Sequence, residues 1–235
     1  MTDLAKACAL VTGGSSGIGL STARQLRERG AKVAICGRDG EKLRRAAEGI
    51  GALAIPGDVA VEADVVRIVR TVIDTFGDYD ALINNAGFGH FAPLLETRLE
   101  DMQRVYSTNV FGAMMVARES ARHFVARKGG NIVNVASTAG QRGFAGGTSY
   151  SSSKFALSGL TECWRAELRK HNVRVMQINP SEVQTEFVAA TGRPLRDFSE
   201  RKLLAEDIAH AILSMLEMHD RGFTTEMSVW ATNPD

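Results

Sequence analysis

Seven short apolar runs punctuate the chain, and longer amphipathic stretches fill the intervals between them. The runs are CALVT (8–12), KVAIC (32–36), ALAIP (52–56), ALIN (81–84), NIVNVA (131–136), VRVMQIN (173–179) and TEMSVWA (225–231). Each has the length of a strand. The segments 17–29, 40–49, 61–76, 99–127, 149–171 and 205–218 instead read as helices. Strands alternating with helices predict βαβ units and a parallel sheet covered on both faces. Such buried strands are apolar throughout rather than at every second residue, and the first five mostly are. Right-handed crossovers make a doubly wound sheet the economical topology, with ligands beyond the carboxyl ends of its strands.

Composition leaves that picture intact. The 235 residues can bury one substantial core and predict a single domain, 1–235. A hydrophobic share of 44%, a charged share of 23% and a net charge of +1 fit an ordinary globular chain. They give no electrostatic case for nucleic acid or an anionic membrane as the main partner. No apolar run approaches the roughly 20 residues that span a bilayer. The opening MTDLAKACALVTGG lacks the long apolar core of a signal peptide. Cys8, Cys36 and Cys163 are odd in number and form no C-x-x-C pair. That argues for a reducing compartment and against a disulfide frame or zinc site, so a cytoplasmic location is expected.

Chemistry enters at the end of the first run. Thr12-Gly13-Gly14-Ser15-Ser16-Gly17-Ile18-Gly19 leads from a strand into a helix. Glycines there allow a tight turn and let a pyrophosphate approach the backbone, and the helix N-terminus offers free N–H groups. The alternative is a Gly-rich turn without a ligand. The second strand ends VAICGRD, so the position that usually reads the adenosine ribose has Gly37, followed by Arg38. An acid there accepts the bonds of a 2′-hydroxyl, whereas a guanidinium pairs with a 2′-phosphate. Arg38 therefore favours NADP(H) over NAD(H), although Ser16 adds no second cation and Asp39 is a neighbouring acid. A solvated arginine at a strand end is the competing reading.

Four further pieces complete a set: GDVA at 57–60, NNAG at 84–87, Ser137 in NVAST, and Tyr150 with Lys154 in YSSSK. With the opening loop, the chain resembles the short-chain dehydrogenase/reductases from Ala9 to about Asn233. That resemblance implies a three-layer Rossmann-type sheet of about seven strands in the order 3-2-1-4-5-6-7. It implies that Gly13, Ser15, Gly17, Ile18 and Gly19 hold the pyrophosphate and adenine ribose, with Ser16 a further hydroxyl donor in the loop, and that Asp58 and Val59 flank the adenine. Asn85, Ala86 and Gly87 would line the cofactor groove, and Pro180, Val183 and Thr185 would hold the nicotinamide. The family's Pro-Gly after the sixth strand reads Pro180-Ser181 here, with Glu182 beside it. Ser137, Tyr150 and Lys154 match the catalytic trio, and Asn109 matches the helix asparagine of a water-linked proton relay.

The residue types suit a hydride transfer between a nicotinamide and a carbonyl or secondary alcohol. A developing alkoxide needs a proton donor and a stabilising dipole. Tyr150 supplies the proton, Lys154 one turn on favours its phenolate, and Ser137 orients the carbonyl. The alternative is a catalytically idle NADP(H)-binding sensor or scaffold of the same fold. Phe88, Phe91, Phe144 and Phe187 are candidates for an apolar substrate wall, and 186–202 for a short lid. His90 receives no role. Arg193, Arg196, Arg201 and Lys202 read as a solvated face, with an acidic substrate as the alternative. Phe111, Met114, Met115, Phe155, Leu160 and Trp164 widen the apolar stripe of two long helices. The resemblance implies that those helices pack across a homodimer, which in the family is often doubled into a homotetramer. Core packing within one chain is the alternative.

Overall fold

The protein is described by a computed structural model over residues 3–187 and 198–233. Seven strands form one parallel sheet: β1 (Cys8–Thr12), β2 (Lys32–Gly37), β3 (Leu53–Pro56), β4 (Ala81–Asn84), β5 (Gly130–Val135), β6 (Val173–Pro180) and the last strand, β9 (Glu226–Val229). Their order is β3-β2-β1-β4-β5-β6-β9, the expected order of the seven runs. β1 lies inside the sheet, between β2 and β4, and is buried on both faces. Val11 sits between Ile35 of β2 and Ile83 of β4, and all five β1 residues are buried.

Helices cover both faces. α1 (Gly17–Glu28), α2 (Gly40–Ile50) and α7 (Ala205–Glu217) enclose one apolar cluster, with Leu26, Ile35, Leu43, Ile83 and Ile212 fully buried in it. α3 (Glu62–Phe76), α5 (Ala113–Ala126) and α6 (Thr148–Leu168) lie on the other face, where Ile68, Leu82, Phe124 and Ile132 are fully buried. Every parallel pair needs a crossover, and the chain returns each time to the same edge. The ends at Thr12, Gly37, Asn84, Val135 and Pro180 therefore face one side, where the loops of interest begin.

Three local features depart from the periodicity. The segment expected as one helix over 99–127 is α4 (Leu99–Tyr106), a π-helical turn (Ser107–Gly112) and then α5. The wider turn brings the Asn109 side chain onto the backbone of Phe88, as π-turns often do beside functional sites. The helix expected over 149–171 ends at Leu168, followed by a 3-10 turn and Asn172 in the left-handed region. Two strands of two residues each were not expected: β7 (Val183–Gln184) pairs in parallel with β8 (Leu203–Leu204). They pin together the two flanks of the expected lid, of which 188–197 lie outside the described residues. The Gln184 side chain tightens this base by donating to the Ser199 carbonyl at 2.7 Å and accepting from the Ser199 N–H at 2.8 Å.

The apolar residues that widen the two long helices divide between two environments. Met115 and Trp164 pack against the core, whereas Phe111 and Phe155 are exposed. Leu99 is exposed as well. Among the described residues, no helix is long and apolar enough to cross a membrane.

Candidate active site

The carboxyl edge of the sheet opens into a cleft of about 1320 Å³. Its floor at one end is the turn after β1. Gly13 takes φ +63° there, and a Cβ on it would lie 3.0 Å from the Ala86 Cα. The turn and the NNAG segment are tied together. Thr12 Oγ1 accepts from the N–H groups of Asn85 and Ala86 at 2.9 Å, and Asn85 Nδ2 donates to the carbonyls of Thr12 and Gly13 at 2.9 and 3.2 Å.

The helix entrance provides the physical test of an anion site. Ser16 is the N-cap of α1, yet its side chain makes no capping bond, so the helix's first N–H groups lack a side-chain acceptor beside the cleft. By contrast, Asp39 caps α2, accepting from the N–H groups of Glu41 and Lys42 at 3.1 and 3.0 Å. An uncapped helix start beside a glycine turn fits a pyrophosphate.

Of the residues expected to hold a dinucleotide, Gly13, Ser15, Ser16, Gly17, Ile18, Arg38, Asp58, Val59, Asn85, Ala86, Gly87, Pro180, Val183 and Thr185 line this cleft. Gly19 lies one layer behind. A Cβ on it would come within 2.4 Å of the Gly13 carbonyl oxygen and 2.6 Å of Asn85 Nδ2. Gly19→Ala must therefore push the turn away from NNAG. It is expected to weaken binding of a nicotinamide dinucleotide by at least about tenfold, measured by fluorescence titration. Unchanged affinity would show that the turn can yield.

Ser137, Tyr150 and Lys154 meet at the far end of the cleft. Ser137 follows β5 and caps a short 3-10 turn, its Oγ accepting from Ala139 N–H at 3.1 Å. Ser151 Oγ donates to the Ala139 carbonyl at 2.7 Å and so locks that turn to α6, which carries the other two side chains. Burial raises the Tyr150 pKa above its ordinary value, and the Ser137 hydroxyl acts in the opposite sense. Lys154 is buried, donates from Nζ to the Val135 carbonyl at 2.9 Å, and is held by desolvation at about 8. Its Nζ lies 5.8 Å from the Tyr150 ring centroid. Cys36 also lines the cleft, but burial pushes its thiol up to about 12, which keeps it protonated and unreactive.

Asn109 stands behind the cleft wall rather than on it. Its Oδ1 accepts from Phe88 N–H at 3.0 Å, and its Nδ2 donates to the Phe88 carbonyl at 2.9 Å and to Ser153 Oγ at 3.1 Å. These bonds brace the loop after β4, which is compatible with the relay expected of Asn109. Ser153 completes that brace by donating to the Tyr150 carbonyl at 2.7 Å, a link the sequence did not announce.

The four expected wall residues, Phe88, Phe91, Phe144 and Phe187, all line the cleft. His90 does not, and its Nε2 lies 3.6 Å from Asp101 Oδ2. Lys42 and Glu186 were missed. They line the cleft and form an ion pair that joins α2 to the segment after β7. The available signal for Lys42 was its place in the first turn of α2, four residues after Arg38. Glu182, whose charge was unexplained, pairs with Lys202 at 3.4 Å.

Comparison with known proteins places this arrangement. The short chain dehydrogenase family model matches residues 7–195. The chain is 39% identical over 186 residues to the uncharacterized oxidoreductase YxnA of Bacillus subtilis, covering 76% of this chain and about half (52%) of that relative. It is 33% identical over 222 residues to carbonyl reductase family member 4 of Xenopus tropicalis, covering 91% of this chain and 92% of the relative. The crystal structure of a 3-ketoacyl-(acyl-carrier-protein) reductase from Brucella melitensis complexed with NADH is similar at a TM-score of 0.88 and 30% identity. The match covers 95% of this chain and 96% of that one.

Proposed function

Because the chain belongs to the short chain dehydrogenase family, we propose that it is an NADP(H)-dependent oxidoreductase that interconverts a carbonyl compound and its secondary alcohol, with Tyr150 as acid and base. The observation that carries this reading is the meeting of Ser137, Tyr150 and Lys154 at one end of a cleft whose other end is an uncapped glycine turn. A bound nicotinamide supplies hydride chemistry at that end. The Ser137 hydroxyl donates to the carbonyl oxygen and holds its plane. Tyr150 Oη gives its proton as negative charge builds on that oxygen, and Lys154 stabilises the phenolate left behind. Burial alone makes Tyr150 a reluctant acid, so the ammonium of Lys154 beneath its ring is essential to the assignment.

At the other end, Asp58 is assigned to the adenine and Arg38 to the 2′-phosphate. Lys42 lines the same cleft but is already paired with Glu186, so the choice of NADP(H) rests on Arg38. Arg38→Ala is expected to lower the NADPH over NADH preference in kcat/KM by about 10- to 100-fold. Equal use of the two cofactors by the unaltered protein would refute the role of Arg38.

The same reading takes 1–235 as one dinucleotide-binding and catalytic domain with 186–202 as its lid. The thiols Cys8, Cys36 and Cys163 are free, which favours the cytoplasm. Exposed Leu99, Phe111 and Phe155 on α4, the π-turn and α6 favour a homo-oligomer built on that face.

A further inference from the structure

The aromatic residues at the reacting end form a continuous arrangement contributed by several segments. Phe91, from the loop after β4, lies 5.4 Å from Tyr150 between ring centroids, tilted by 58°. Phe187, from the segment after β7, lies 5.5 Å from Tyr150, tilted by 56°. Phe144, from the loop before α6, lies 5.9 Å from Phe91 and is 44% exposed toward the cleft mouth. Gly89 allows this convergence, because a Cβ there would stand 2.8 Å from the Phe91 ring and 3.1 Å from that of Phe187. Tilted ring pairs at these separations present edges as well as faces, the geometry in which a further ring packs favourably.

The charges around the rings are as informative. Among the described lining residues, the cations are Arg38 and Lys42 at the adenosine end and Lys154 beneath the tyrosine. The segment from β6 to Phe187 contributes two carboxylates, Glu182 and Glu186, each already paired with a lysine. An anionic substrate group at this end would lose its water against phenyl rings, and the lining cation nearest to it among the described residues, Lys154, is buried beneath the tyrosine.

We propose, resting on the carbonyl oxidoreductase reading above, that the substrate is an uncharged ketone bearing an aryl group beside its carbonyl. The aryl ring packs against Phe91 and Phe187, with Phe144 closing its outer edge. The reaction balances as a two-electron reduction. The carbonyl carbon gains a hydride from the reduced dinucleotide, the oxygen gains the Tyr150 proton, and solvent returns a proton to the phenolate.

The test is a kinetic series with four probes: 1-phenyl-1,2-propanedione, 2,3-butanedione, phenylglyoxylate and its ethyl ester. The phenyl diketone is expected to exceed 2,3-butanedione in kcat/KM by at least about tenfold, and the ester to exceed the acid by about 100-fold. In Phe91→Ala and Phe187→Ala, the phenyl-to-methyl ratio is expected to fall at least about fivefold. Ratios need no comparison of absolute activity, and the unaltered protein alone decides the case if a variant fails to fold. Equal rates for the two diketones, or an acid reduced as fast as its ester, overturn the aryl assignment while leaving the oxidoreductase reading standing. Failure of every probe to oxidise NADPH or NADH overturns both.

Discussion

Tyr150→Phe is expected to lower kcat/KM for carbonyl reduction by about 10³-fold, within the range that a positioned proton donor contributes. The dissociation constant for NADPH should change little. The substitution removes one oxygen and keeps the ring, so the packing with Phe91 and Phe187 survives. The contacts assigned to the dinucleotide lie mainly on other elements, from Gly13 to Thr185. The measurement is steady-state turnover beside a fluorescence titration of NADPH. Loss of activity and of binding together would mark Tyr150 as structural, and retained turnover would remove it from the chemistry.

The second large effect concerns Lys154, where activity and stability are expected to move in opposite directions. Burial holds its pKa at about 8 rather than 10.5. The unfolded chain thus binds more protons than the folded one between those values, and stability contributed at this site rises with pH across that window. Below about pH 8 the folded protein bears the full cost of a buried ammonium, about 3 kcal/mol from the displacement. Lys154→Met removes that cost but leaves the Val135 carbonyl without its donor, a loss of about 1–3 kcal/mol. The net expectation at pH 7 is a gain of about 1 kcal/mol, or about 2–4 °C in Tm. That gain should vanish near about pH 9 and give way to a deficit as the pH rises toward 10.5. Carbonyl reduction should fall by about 10²-fold, since the phenolate loses its neighbouring charge. A lower Tm at pH 7 would mean that the Val135 bond outweighs the burial of charge.

A sheet covered on both faces was legible because β1, β2 and β4 are apolar through their middles, whereas the strand order came from the family resemblance. The motifs were legible because each lies within a few residues of a strand's end. Harder to read were the features made by pairs distant in the chain. Lys42 and Glu186 are separated by 144 residues, and no local pattern announces that they meet. Asp39 read as a possible acid for the ribose, yet helix capping already engages one of its oxygens. The π-turn was hidden because Ser107–Gly112 differs from an α-helix only in which carbonyl each N–H selects. β7 and β8 were hidden because two residues carry no period. The bracing bonds of Asn109 were hidden for a related reason: sequence gives its place on a helix but not which backbone its amide finds.

The central claim is that this cleft moves a hydride between a nicotinamide and a carbonyl. It is tested most directly by incubating the protein with NADPH deuterated at its transferable position and 1-phenyl-1,2-propanedione, then analysing the product by mass spectrometry. The account predicts an alcohol with one deuterium on the carbinol carbon, and no such product from Tyr150→Phe. Unlabelled alcohol would contradict direct transfer, and labelled alcohol formed equally by Tyr150→Phe would contradict the proton donor assigned here.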